Sequence, residues 1–306
     1  MEVSIIIPVY NKASYINDCL DSLLQQDFDS FEIIAVDDGS TDDSGRICDE
    51  RAAQDQQVRV IHIENGGVTA ARRQGVEQAK GKYILFVDAD DRLLPHAIQT
   101  LYDAIIQSGA DEVIATFRTH SGILSPVVYD GFVNTDVLVR DILTNKNRFP
   151  VLWSIMFRRE LLSDVLDTPR EIIEGEDKLM QVKILMKRPR VFFIAQPAYL
   201  YTLGVPNSRR HALAREQLYD KLLETALGSR VQEFSDALTL HKIKEYERFI
   251  FDGNDDVRQQ YYLSAVGKPS KAIPLYDRLV FALPPVLARP VIRLYRKLIT
   301  IKQRGL

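Results

Sequence analysis

The chain has 306 residues and a formal net charge of −3, with 46% of its residues apolar and 26% charged. That length suits one large domain, or one domain plus a smaller one; the composition is that of a soluble globular protein, and the lack of a basic excess argues against nucleic-acid binding. Two cysteines, Cys19 and Cys48, are too few for a disulfide framework or a thiolate metal cluster. The start "MEVSIIIPVYNK" lacks a signal-peptide pattern, and no stretch reaches the roughly 18 uncharged apolar residues of a membrane span. The expectation is therefore a cytoplasmic protein, or one peripheral on the cytoplasmic face of a membrane.

Segments 3–9 (VSIIIPV), 31–37 (FEIIAVD), 58–63 (VRVIHI), 82–88 (KYILFVD) and 112–117 (EVIATF) are short, apolar and rich in β-branched residues. They lack polar alternation, which predicts strands buried on both faces. Helical segments lie between them at 14–26, 41–54, 67–81 and 94–109. Thr41 and the aspartates after it supply an N-cap for the second; Pro95 sits near the first turn of the fourth and Gly109 just past its end. Strand and helix taking turns predicts βαβ units in an α/β fold: a Rossmann-like, mostly parallel sheet flanked by helices. Further on, 135–145 reads as helix, 151–162 as a strand entering a helix, 176–188 as a helix, and 191–202 as two short strands broken at Pro197. From 212 onward the chain reads as helical.

Ligands of such sheets sit at the carboxyl ends of the strands. Pro8 to Asn11, Asp37 and Asp38, Asn65 to Gly67, and Asp88 to Asp91 each follow a predicted strand, so these four polar clusters are expected on one edge. The fourth holds three carboxylates in four positions. One would serve to cap the following helix, and three exceed that need. In extended chain Asp88 and Asp90 point the same way, with Ala89 turned away, which suits a hard divalent cation, Mg²⁺ or Mn²⁺, held by carboxylates together with substrate phosphates. The Asp37–Asp38 pair can accept hydrogen bonds from a nucleobase, and Arg72 can reach a phosphate near the helix N-terminus at Gly67. Neither the P-loop pattern nor G-x-G-x-x-G occurs. His62 and His211 have no companions at ligand spacing and read as structural, as does the single tryptophan, Trp153.

Three stretches taken together, "SIIIPVYNKASYINDCLDSLLQQDFDSFEIIAVDDGSTDDS", "ENGGVTAARRQG" and "GKYILFVDADD", closely resemble the family-2 glycosyltransferases. The resemblance is strong over about residues 3–120 and thinner to about 210. It implies a GT-A fold and a metal-dependent, inverting transfer of a sugar from a nucleotide-sugar donor, a UDP-sugar, to a saccharide or lipid-linked acceptor in surface polysaccharide synthesis. It also implies roles. Pro8, Val9 and Tyr10 line the uridine pocket, Asp38 with Asp37 beside it reads the uracil edge, and Arg72 lies near the nucleotide. Asp88 holds the ribose and Asp90 ligates the metal. In "EGEDKLMQVKIL", Asp177 is the base for the acceptor hydroxyl, with Glu176 as its neighbour. The chain departs from the family pattern at Ala13, Arg73, Ile155 and after Tyr201, the last two on the acceptor side. Two other classes stay open: a sugar-phosphate nucleotidyltransferase, which the lack of a glycine-rich loop after the first strand disfavours, and a non-catalytic nucleotide-sugar binding module.

The expected organisation is a transferase domain over 1–210, with a donor half (1–120) and an acceptor half (121–210), followed by a helical extension over 211–306. Residues 271–306 carry eight basic side chains and one acid, Asp277. In "LARPVIRLYRKLITIKQRGL" apolar residues lie on one side of a helix and Arg289, Arg293, Arg296 and Lys297 on another. That pattern suits peripheral contact with a membrane surface, and equally a packed helix with a solvated basic face.

Overall fold

The structure, a computed structural model, describes residues 1–122, 129–146, 149, 152–205, 213–252 and 256–303; His211 lies outside them. The described chain forms two compact units, one of residues 1–139 and 147–226, the other of 140–146 and 227–306.

In the first unit nine strands form one sheet: β1 (Val3–Val9), β2 (Phe31–Asp37), β3 (Val58–His62), β4 (Tyr83–Phe86), β5 (Arg92–Leu93), β6 (Glu112–Thr119), β7 (Gly131–Val133), β8 (Ile155–Arg158) and β9 (Val191–Tyr201). The order is β3-β2-β1-β4-β8-β6-β9-β5, with β7 also pairing β9. β3, β2, β1 and β4 are mutually parallel, and β6 and β9 run with them; β5, β7 and β8 are antiparallel to their neighbours. The expected mostly parallel sheet is thus present, interrupted where β8 slots between β4 and β6. β5 and β7 are too short for any periodicity to mark. Segment 191–202 is one strand rather than two, its pairing with β6 slipping register around Pro197, which cannot donate to the ladder.

β1 and β2 are buried on both faces almost throughout, as their unbroken apolar sequence requires, whereas β3 is half-buried because it forms the sheet edge. Alternate residues of β1 face opposite layers. Val3, Ile5, Ile7 and Val9 join the core built with α1 (Ile16–Leu24), Cys48 of α2 (Ser44–Gln54), and Ile98, Leu101 and Ile105 of α4 (Ala97–Ser108). Ile6 faces α3 (Val68–Gln78), which packs so closely that a Cβ on Gly75 would lie 2.3 Å from Ile6 Cγ2. α2 begins two residues later than a Thr41 cap predicts, at Ser44, with Asp43 in the cap position. α4 begins after Pro95, because His96 takes a left-handed conformation (φ 63°) that a helix cannot continue.

The second unit is helical. α8 (Ser235–Asp252) packs with α10 (Leu275–Ala282) and α11 (Pro285–Gln303) around Ile243, Tyr246, Phe249, Val280, Phe281 and Ile292. Its Asp277 is buried and paired with Lys244.

One acid lies deep in the first unit. Glu112, on β6, accepts a hydrogen bond from Gln181 on α6 (Glu176–Met186), and burial raises its carboxyl pKa to about 8. An unfolded glutamate releases its proton near about 4.3. Between those limits the unfolded chain holds fewer protons than the folded one, so stability falls as pH rises. Thermal melts from about pH 5 to about pH 8 should show a declining melting temperature, and Glu112→Gln should flatten that slope. A slope unchanged in the variant would remove Glu112 as its source.

Candidate active site

The carboxyl ends of β1, β2 and β4 open onto one cleft of about 720 Å³. Its lining contains Pro8, Val9 and Tyr10 from the end of β1, Asp38 from just past β2, Arg72 from α3, Asp88 and Asp90 from beyond β4, and Glu176 from the start of α6. Residues up to some 170 positions apart in sequence therefore converge, as parallel strands ending on one edge dictate. Asp37 and Asp177 are not part of this lining.

Each side chain has a local reason for its position. Asp38 is tethered by its own N–H, which donates to Val9 O at 2.8 Å, and its carboxylate accepts from the N–H groups of Gly66 (2.7 Å) and Gly67 (2.9 Å). That contact draws the loop after β3 against the loop after β2 and sets the start of α3, where Gly67 takes φ 89°, open to glycine and strained for other residues. Asn65 reinforces it, donating to Asp38 O at 2.8 Å while accepting from Arg170 at 2.6 Å. Asp37 faces elsewhere: it accepts from the Ser40 N–H and pairs with His62 Nδ1 at 2.9 Å, whose Nε2 meets Asp49 at 3.0 Å. Those two carboxylates raise the His62 pKa. The sequence treats Asp37 and Asp38 as a pair; the structure sends one into the cleft wall and the other to a histidine beside α2.

Arg72 is buried, reaching Asp88 Oδ1 at 3.1 Å and Glu176 Oε1 at 3.6 Å. Burial opposes its charge, but Asp88, Glu176 and Asp177 outweigh burial and its pKa rises. Burial also raises the Asp88 pKa; Arg72 pulls it back, and Asp90 pushes it up again. Glu176 is raised by burial, then by the charge of Asp177. Asp177 thus sits within electrostatic reach of Arg72, Asp88 and Glu176 although it lies outside the cleft lining, and its own carboxylate accepts from the Lys178 N–H at 2.8 Å.

The three acids after β4 have three environments. Asp88 faces Arg72, and Asp90 pairs with Lys12 Nζ at 2.7 Å. Asp91 turns inward, accepting from the Tyr199 hydroxyl at 2.9 Å and the Thr202 N–H at 2.6 Å, and its pKa rises to about 8, chiefly through burial. Tyr199 also accepts the Asp88 N–H at 3.0 Å, so it buttresses the whole turn. Trp153 packs among Phe117, Tyr199 and Tyr201 beneath it, with centroids at 4.6, 4.9 and 5.2 Å, and reads as part of the support. Asn65 belongs to a polar cluster expected on this edge; Lys12, Tyr199 and Arg170 have no role in the sequence reading. Lys12, in "VYNK" directly after the first strand, was the legible one; the others come together only through tertiary contacts.

The lining acids are Asp38, Asp88, Asp90 and Glu176, and the lining cations Lys12, Arg72 and Arg170. The chain alone therefore offers a diphosphate no positive excess. Among the described residues no group of three His, Cys, Asp or Glu side chains is placed to enclose a metal. Two facing carboxylates whose oxygens are shared with single cations fit a hard divalent ion that takes its remaining ligands from phosphate and water.

The sequence matches the description "Glycosyl transferase family 2" over residues 4–166. Glycosyltransferase GlyG of Streptococcus pneumoniae serotype 4 is 32% identical over 212 residues, which are 65% of this chain and 70% of that protein. The poly(ribitol-phosphate) beta-glucosyltransferase of Bacillus spizizenii is 32% identical over 206 residues, which are 66% of this chain but 32% of that larger protein. A crystal structure of S. aureus TarS 1–349 in complex with UDP-GlcNAc superposes with a TM-score of 0.75 at 21% identity, covering 100% of this chain and 92% of that one.

Breaking the central ion pair leaves buried carboxylates without their counter-charge, which costs roughly 3–5 kcal/mol when both partners are fully buried. Asp88 remains about a third exposed, so Arg72→Met should cost toward the low end of that range, read as a lower urea midpoint at neutral pH. A midpoint unchanged from the parent would show that Arg72 does not hold this cluster.

Proposed function

The chain belongs to glycosyl transferase family 2, and from that premise we propose an inverting transfer of a sugar from a UDP-sugar to a saccharide or lipid-linked acceptor in surface polysaccharide synthesis. Its being a glycosyltransferase of GT-A fold is the part that family and fold establish; that membership also selects glycosyl transfer over nucleotidyl transfer. The observation that carries the finer reading is the convergence of Asp38, Arg72, Asp88 and Asp90 on one cleft large enough for a nucleoside diphosphate and a cation.

In this reading the base lies against Pro8, Val9 and Tyr10, whose ring is half-exposed at the mouth. Each Asp38 oxygen accepts one backbone N–H and keeps a lone pair for a donor on the base edge. Asp37 contributes indirectly, by fixing the Ser40 turn beside it. Asp88 is oriented by Arg72 toward the ribose, and Asp90, with Asp88 beside it, would hold Mn²⁺ or Mg²⁺. A divalent cation there supplies charge neutralisation on the departing diphosphate, where negative charge grows during transfer.

The acceptor hydroxyl needs a base. Glu176 is committed to Arg72, and Asp177 next to it, with no ion pair among the described residues, is the carboxylate assigned as base. Its place at the head of α6 has a second explanation, the favourable position of acids in a helix's first turn, and mutation separates the two. Asp177→Asn should lower the rate of glycoside formation from a labelled UDP-sugar by about 10²–10⁴-fold. UDP affinity by calorimetry should stay within about threefold, a change of well under 1 kcal/mol. A parallel loss of nucleotide affinity would sink the assignment of Asp177 as base. Failure of every UDP-sugar to stabilise the protein thermally with manganese present would sink the donor assignment.

A further inference from the structure

The C-terminal unit carries an apolar stripe that its own core does not use. On α11, Ala288 and Ile292 are buried in that core, while Leu287, Val291 and Leu294, spaced i, i+4 and i+7, are 56%, 40% and 61% exposed. Those three share one side of the helix, centred roughly 110° round from Ala288 and Ile292. α10 repeats the pattern on a smaller scale, with Leu275 and Leu279 at i, i+4 both more than half exposed. Single exposed leucines are ordinary; aligned runs on successive helices mark contact surfaces.

Charge decides what the contact is. Arg293 and Lys297, one helical turn apart, are exposed, and Lys297 lies one turn from Leu294. Arg296 and Lys271 are exposed as well. The single acid of residues 271–306, Asp277, is buried and paired with Lys244. Among the described residues, the side-chain charge that this segment shows to solvent is thus positive only, set beside an apolar stripe. An anionic lipid interface matches both features at once: acyl-chain boundary for the leucines, headgroup charge for the cations. A second copy of the same surface would bring like charges together. Among the described residues no helix is long and apolar enough to cross a membrane, so such contact is in the plane of the interface.

We propose that α10 and α11 form a docking surface for anionic lipid bilayers, in which Leu287, Val291 and Leu294 enter the interface and Arg293 and Lys297 engage the headgroups. This goes beyond the transfer reaction and does not rest on it.

The test is co-sedimentation of the full chain with vesicles of phosphatidylcholine alone or mixed with phosphatidylglycerol. Binding to the mixed vesicles should be about tenfold or more tighter, and should weaken as salt rises. The triple variant Leu287→Ser, Val291→Ser, Leu294→Ser should lose binding to both, with a melting temperature like the parent's, since these side chains are exposed. Arg293→Gln with Lys297→Gln should abolish the preference for the anionic vesicles. Equal binding to neutral and anionic vesicles, or none to either, overturns the proposal. So does a concentration-dependent dimer, seen by sedimentation velocity, that the triple serine variant dissociates, because the stripe then belongs to a second copy of the chain.

Discussion

The buried guanidinium of Arg72 is the constraint on which the rest of the cleft depends. It rises from α3, a helix clamped to β1 by the close approach at Gly75, and meets Asp88 at the end of β4 and Glu176 at the head of α6. Three elements that the chain visits at widely separated points are thereby fixed to one another by a group that cannot lose its proton. A buried arginine with two carboxylates is tolerated because each charge relieves the others, and such an arrangement defines geometry more than it adds stability. The donor side and the start of α6 are set relative to each other before any ligand arrives, which suits chemistry that relies on positioning.

Around that tie the acids divide by environment. Asp38 and Asp91 both hold structure: one gathers two backbone N–H groups at the start of α3, the other anchors Tyr199 and Thr202. Asp88 and Asp90 keep oxygens directed at the cleft and differ in partner, Arg72 for one and Lys12 for the other. Four similar residues thus end in four different electrostatic settings, each traceable to whether a backbone donor, a hydroxyl or a cation stands within reach.

Much of this could be read from the chain alone, for physical reasons. Strands β1, β2 and β4 show as unbroken apolar runs because helices cover both faces, and polar residues directly after parallel strands must share an edge. That reasoning brings Pro8, Asp38, Asp88 and Asp90 together without any coordinates, with Arg72 a turn into the helix after Gly67, whereas Glu176 is reached only through the family resemblance. It fails where the deciding contact is tertiary. Nothing local separates Asp37 from Asp38; His62, arriving from β3, captures the first and leaves the second to Gly66 and Gly67. β9 reads as two strands because Pro197 breaks a ladder, yet β6 pairs with it before and after the irregularity, Ala115 with Ile194 and Phe117 with Tyr199, and keeps the strand continuous. Two-residue strands such as β5 carry no period at all and exist because β9 is there to pair with.

The charge balance of the cleft links the fold to the chemistry. Lys12 pairs with Asp90 and Arg72 with Asp88, so each of these two carboxylates has a cationic partner within the chain. A diphosphate entering the cleft meets cations that are engaged rather than idle. Asp90, with Asp88 beside it, would hold a divalent cation that supplies positive charge for a diphosphate, and the ammonium of Lys12, at the cleft wall, would be placed for a phosphate oxygen. Lys12 is thus the internal counter-ion of Asp90. The loop that carries it is fixed for that purpose by Asn11, in a left-handed conformation (φ 51°), whose side chain accepts the Thr41 N–H at 2.8 Å and so ties the turn after β1 to the turn after β2.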